Sequence, residues 1–340
     1  MKRQELITRG CCALLVKCGF AMERVGFLRA TLSRRRVELN FLTVIWSQNG
    51  HAPTTQNMKK KRSSKATATE ALLWDSSKSG SISGIKAALK QGAAVDAVDR
   101  DGASALVHAS AAGQEESVRL LLSRGADVKL KTRGGNSALS FAAYNGHAAA
   151  VRLLLEAGAD TKATMATPAG RIPVLVFAAG KCHREVVELF LKHGATLNIK
   201  NADVLPLNLA VNSGNVEMVK FLLSRGADVN GRQVLRQFTP IMEAYRSSDC
   251  MIRTLVDAGA DVNMRDAIGM TVLMFATRGN HREAVVELLK AGADAAIEYT
   301  DPNGSRNSYD MAVECGHKAL ANLISRHMER PERQPSAPKG

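Results

Sequence analysis

The chain has 340 residues, a net charge of +14, 4% aromatic residues and six cysteines. That length could hold two or three globular domains or one long repeat array, and the scarcity of aromatics argues for a thin core of Leu, Val and Ala. Cys11, Cys12 and Cys18 crowd into the first 18 residues while Cys182, Cys250 and Cys315 lie far apart, which argues against a disulfide framework and for a reducing, cytoplasmic setting.

The first segment, residues 1–66, carries 14 Lys and Arg against Glu5, Glu23 and Glu38, a net +11, and leaves the rest of the chain at +3. The apolar stretch at Gly10 to Met22 is broken by Lys17 and ended by Glu23-Arg24, with no small-residue cleavage pattern after it, so it makes a poor secretory leader. Neither it nor Leu39 to Trp46 reaches the ~18 to 20 apolar residues of a membrane-spanning helix. An Arg-rich organelle-targeting peptide stays open, opposed by the three acids. The expectation is a basic, disordered extension or one wrongly joined to the gene, with Met58 ahead of Lys59 to Arg62 as a natural start. That basic run lacks the interleaved aromatics of a single-strand nucleic-acid platform.

From residue 67 onward the sequence is periodic. A Gly-Ala pair begins at Gly92, Gly125, Gly158, Gly194, Gly226, Gly259 and Gly292, at spacings of 33, 33, 36, 32, 33 and 33, and the octamer LLSRGADV occurs twice, at Leu121 and Leu222. A period near 33 is a solenoid signature, because each unit must stack on its neighbours to bury its apolar face. Within Glu115 to Arg124, Val118, Leu121 and Leu122 fall on one face of a predicted helix. The glycine that follows can close the last turn in the left-handed conformation, and Asp127 can bond to the loop backbone. Twenty-one residues before the glycines stand Ser104, Ser137 and Thr271, whose oxygens are expected to cap a first, shorter helix. Thr239-Pro240 is shifted by one residue and places proline at the first helical position. Three extra residues fall near Thr167 to Arg171. The sixth unit combines a longer loop, Gly231 to Gln237, with a shortened helix turn, and is expected to open most easily.

The stretches Ser137 to Asp160, Thr239 to Asn263 and Thr271 to Asp294 carry the pattern best, and through them the chain resembles the ankyrin-repeat proteins. The resemblance implies an all-α solenoid of helix-turn-helix units with hairpin-like loops, seven units and a C-terminal cap over residues 67–328, with a disordered tail at 329–340. The family's Thr-Pro-Leu-His tetrapeptide is intact nowhere, which predicts an array weakened by about 1 kcal/mol per impaired cap. Asn230 and Asn263 each end an Asp-Val-Asn eight residues after a leucine, similar to the motif modified by asparaginyl hydroxylase and equally to ordinary repeat consensus.

No catalytic, cofactor or metal site is expected. His147, His183, His281 and His317 recur at one repeat position, where a turn needs them, and Cys182-His183 are neighbours that point apart on a helix. The chain has no zinc, phosphate-loop or nucleophile-elbow motif. What remains is surface recognition. The resemblance implies a concave face built from loop tips and the outward positions of each first helix. Those places hold Arg100, Asp101, Arg133, Asn136, Tyr144, Asn145 and Arg171 in the first half of the array, and Lys181, Asn212, Arg232, Arg246, Met270, Arg278 and Arg306 in the second. Arg presents a planar fork suited to carboxylates and is enriched at hot spots. The expected function is therefore a monomeric, non-enzymatic scaffold that docks an acidic or mixed-charge segment of another protein, with no small-molecule substrate. A second reading stays beside it: an adaptor whose basic arm at residues 1–66 touches nucleic acid or a membrane surface.

Overall fold

The computed structural model describes residues 67–329, apart from 168, 169, 201, 248 and 303. The expectations for residues 1–66 and 330–340 lie outside the described residues. Among the described residues, sixteen α-helices follow one another in eight pairs: α1 (Ala68–Ser79) and α2 (Ile82–Lys90), α3 (Ala105–Ala111) and α4 (Glu115–Ser123), α5 (Ala138–Asn145) and α6 (Ala148–Glu156), α7 (Val174–Gly180) and α8 (Arg184–Lys192). The series continues with α9 (Pro206–Asn212) and α10 (Val216–Ser224), α11 (Pro240–Glu243) and α12 (Asp249–Asp257), α13 (Val272–Arg278) and α14 (Arg282–Lys290), and α15 (Ser308–Glu314) and α16 (Lys318–Met328). First helices stack on first helices, and most second helices on second helices. The first helix of the sixth repeat is cut to four residues plus a 3₁₀ turn at Ala244–Arg246. Four of the described loop tips are hairpins: strands β1 (Thr164–Thr167) and β2 (Gly170–Pro173) hold the three extra residues, β3 (Tyr299–Asp301) pairs antiparallel with β4 (Gly304–Arg306), and single bridges Val98–Ser104 and Lys131–Ser137 close two others.

The repeated octamer is the end of a second helix and its exit turn. Gly125 and Gly226 take φ of +82° and +83°, and a Cβ on either would meet nothing within 4 Å. The glycine is needed there for its backbone alone. The Gly-Ala-Asp that follows is also a socket for the preceding repeat. Asn198 donates its amide to the Gly226 carbonyl (3.0 Å) and accepts from the Asp228 N–H (2.8 Å). Asn230 does the same with Gly259 and Asp261, and Asn263 with Gly292 and Asp294. Each asparagine spans one repeat junction with two hydrogen bonds, so the Asp-Val-Asn tripeptide has a structural role of its own.

Capping follows the sequence only in part. Ser104 accepts from the Val107 N–H, and Ser137 forms a reciprocal box with Ser140. Thr239 and Thr271 occupy the cap positions but their hydroxyls accept no amide of the first turn, which corrects the expectation for Thr271. Between the helices of a pair the chain turns through a left-handed residue. That residue is Gly80, Gly113, Gly146, Gly214 or Gly316 in five pairs, and Cys182 (φ +63°) and Asn280 (φ +58°) in two. Asn tolerates this conformation and Cys does not. Cys182→Gly is accordingly expected to raise stability by up to about 1 kcal/mol, read as a small rise in melting temperature. A fall instead would mean that the partly buried thiol packs better than its backbone is strained.

One apolar cluster runs from Leu73 to Ile324, built of Leu, Val, Ile and Ala with Phe190 its largest fully buried side chain. A small separate cluster of Met270, Met274 and Met311 joins the last two pairs.

Candidate functional site

A groove of about 360 Å³ lies between the second and third helix pairs. One wall is the loop tip with Asp99, Asp101 and Ala103, the opposite wall is the next tip with Thr132, Arg133 and Gly134, and Val107, His108 and Ala111 of α3 with Phe141 of α5 form the floor. The tips are locked together because the Arg133 N–H donates to the Asp101 carbonyl (2.8 Å). Within the first tip, Asp99 accepts from the N–H groups of Asp101 (2.8 Å) and Ala103 (2.9 Å), and its other oxygen meets His108 Nε2 at 2.8 Å. Burial works to raise the Asp99 pKa, but those amides and the His108 ring outweigh it and hold the carboxyl below its ordinary value. Asp99 therefore stays a carboxylate that fixes the wall. The Asp101 and Arg133 side chains are exposed at the rim.

An apolar floor under a rim of both signs suits an extended segment whose apolar side chain enters while its polar neighbours meet Asp101 and Arg133. Thr132, the hydroxyl on the wall, accepts from the Asn136 N–H (3.2 Å), so it is held as part of the turn. No group of three or more metal-binding side chains is gathered among the described residues, and no helix there is long and apolar enough to cross a membrane.

Asp101 and Arg133 come together at this groove, and Arg100 precedes Asp101 on the same tip without lining it; all three are exposed. Tyr144 and Lys181 form a second group: the Tyr144 ring meets Phe177 edge-on at 5.4 Å and carries the Lys181 ammonium 3.9 Å above its centroid. Asn136 and Asn145 are committed to the frame, through bonds to the Ala166 N–H and the Ala111 carbonyl. Asn212, Arg232, Arg246 and Arg278 are exposed on later repeats, well along the chain from the groove.

Three expectations need correction. Met270 is 2% exposed and packs with Met274, Met311 and Phe275. It precedes the cap residue Thr271, where an apolar side chain staples the helix entry from inside. Arg171 looks free in the sequence, yet its guanidinium donates to the carbonyls of Gly134 and Gly135 and to Thr164 Oγ1, clamping adjacent tips. Arg306 is held by Asp301 and Glu314, both at 2.6 Å. Sequence reasoning missed His108, Val107 and Phe141 as groove residues. The available signal was a histidine nine residues after a loop aspartate, at a first-helix position facing that loop.

Stacked helix pairs with paired loop tips and a groove between tips and first helices define a repeat scaffold. A family model of ankyrin repeats in three copies matches residues 72–165, 166–233 and 236–334, and the chain belongs to the ankyrin-repeat family. A putative ankyrin repeat-containing protein of Treponema pallidum is 34% identical over 116 residues, 34% of this chain and 39% of that protein. Human ankyrin repeat and SOCS box protein 6 is 32% identical over 124 residues, 34% of this chain and 30% of that protein. The chain thus spans two fifths or less of the length of these relatives. The crystal structure of the human ASB11 ankyrin repeat domain superposes with a TM-score of 0.59 at 29% identity, over 66% of this chain and 99% of that one. Ankyrin repeats generally mediate protein–protein interaction and are generally non-catalytic.

Proposed function

We propose that the chain is a non-catalytic scaffold that holds an acidic or mixed-charge segment of another protein along the loop tips and first helices. The groove between the Asp101 and Arg133 tips carries this reading, because its floor is apolar apart from His108, its walls are fixed by backbone hydrogen bonds, and its rim offers one exposed charge of each sign. A preformed surface of this kind loses little conformational freedom on binding.

The test is affinity capture from the native cell with the full chain and with an Arg100→Glu, Arg133→Glu variant. Both side chains are exposed, so circular dichroism is expected to be unchanged. A partner recovered with the wild type and reduced at least about tenfold with the variant supports the reading, and equal recovery with both rejects it. The net +11 of residues 1–66 favours a second reading, an added tether to nucleic acid or a membrane surface. Removing residues 1–57 separates the two, since partner capture by the array alone would survive and a salt-sensitive localisation would be lost.

A further inference from the structure

The long loop of the sixth repeat is fastened on both sides. The Val234 N–H donates to the Ala202 carbonyl of the preceding tip (3.2 Å), and the Arg236 carbonyl accepts from the Ala267 N–H of the following one (3.1 Å). Gln233 N–H to the Phe238 carbonyl (3.0 Å) and Gln237 Nε2 to the Val234 carbonyl (3.0 Å) close it internally. On this fixed crest Val234 is 44% exposed and Leu235 60%, and on the adjoining tip Ile268 is 63% exposed. Three aliphatic side chains on neighbouring turns are out of place on loop tips, where solvated polar residues are the rule.

The charges around them are one-sided. Lys200, Arg232, Arg236 and Arg265 are exposed on the same three tips, with the Arg236 guanidinium 3.9 Å above the Phe238 ring. The nearby acids are turned inward. Asp266 accepts from the Ile268 (3.0 Å) and Met270 (2.8 Å) amides, and Glu243 accepts from Gln233 Nε2 (3.1 Å). Burial pushes both carboxyls upward, against the pull of Arg236. Asp203 is exposed beside the crest, and Asp228 and Asp261 are exposed at the bases of the loops, each accepting from the N–H two residues on.

We propose that the loop tips of the sixth and seventh repeats form a second docking surface, for a segment of another protein in which an aliphatic or aromatic side chain is flanked by Asp or Glu. This rests on the reading of the chain as a scaffold but uses a surface distinct from the groove. The apolar anchor packs on Leu235, Val234 and Ile268, and the carboxylates meet the arginine forks. A second copy of the chain is a poor occupant, because a two-fold contact sets each patch against itself and brings Arg232, Arg236 and Arg265 against their own counterparts.

The probe is a random-peptide display library panned against the full chain, against a Leu235→Asp, Ile268→Asp variant, and against the Arg100→Glu, Arg133→Glu variant. Both aliphatic positions are exposed, so the fold is expected to survive, with circular dichroism and melting temperature as checks. The expected result is a set of peptides rich in Asp and Glu around Leu, Ile or Phe, retained by the groove variant and weakened at least about tenfold by the crest variant. The inference is overturned if the wild type enriches no peptides that the crest variant fails to enrich, or if those enriched are basic. Sedimentation and phosphatidylserine vesicles complete the test: dimerisation or vesicle binding that depends on Leu235 and Ile268 also overturns it. Loss of peptides with the groove variant alone would leave the groove standing and this surface refuted.

Discussion

Phe190→Ala is expected to cost about 3–5 kcal/mol, the largest effect of any single truncation in this array. Phe190, in α8, is the largest fully buried side chain in the continuous core. Its removal takes away both the transfer free energy of the ring and the contacts that line the cavity left behind. In a stack whose repeats touch only their neighbours, such a loss is not shared across the molecule. Urea unfolding followed by circular dichroism should therefore change from one transition to two, with a lower slope for the first, as the repeats flanking α8 lose their coupling. A single transition displaced by less than 1 kcal/mol would mean that the surrounding leucines and valines collapse into the space.

The second large effect comes from comparing two glycines with the same backbone. Gly146 (φ +79°) and Gly226 (φ +83°) both sit in the left-handed region, but a Cβ at Gly146 would lie 2.6 Å from the His183 ring, whereas one at Gly226 meets nothing within 4 Å. Gly226→Ala should cost only the conformational penalty, about 1–2 kcal/mol. Gly146→Ala adds the displacement of His183, whose Nε2 lies 3.3 Å from the Tyr144 carbonyl, for a total of about 2–4 kcal/mol. Burial holds the His183 pKa below its ordinary value in spite of that carbonyl. The displaced ring should therefore titrate higher in Gly146→Ala, visible by NMR, and remain unchanged in Gly226→Ala. Equal costs for the two variants would show that the ring moves aside freely.

The fold was legible because its determinants are local. The Gly-Ala pairs, the Leu and Val spacing and the small residues of the first helices all act within one repeat, so the helix pairs follow from short stretches such as Glu115 to Arg124. The hairpin at Thr164 to Pro173 appeared as extra length near Thr167 to Arg171 for the same reason. The site was less legible because its partners are main-chain atoms a repeat away. Arg171 and Arg133 look alike in sequence, yet one is spent on the carbonyls of Gly134 and Gly135, 37 and 36 residues distant, and the other keeps its side chain in solvent. Met270 was misplaced because a position beside a helix cap can point either way, and part of the cluster it packs into, Met311, is brought in by the next repeat. The crest at Leu235 and Ile268 carried a readable signal, apolar residues in loops, that the regularity of the repeats obscured.

The asparagine sockets set a limit on how far apart in the chain two partners have to be. Asn198 and Gly226 are 28 residues apart, His183 and Tyr144 are 39, and the other junction bonds described above fall between. The entropy lost in closing a loop grows with the logarithm of its length, so each junction closes at nearly the same cost wherever it lies in the array. Lengthening the protein by another repeat would add one more closure of the same size and leave the longest closure unchanged, so relative contact order would fall as the chain grew. A nascent chain can therefore set each junction as soon as the next Gly-Ala-Asp has been made, without waiting for its far end.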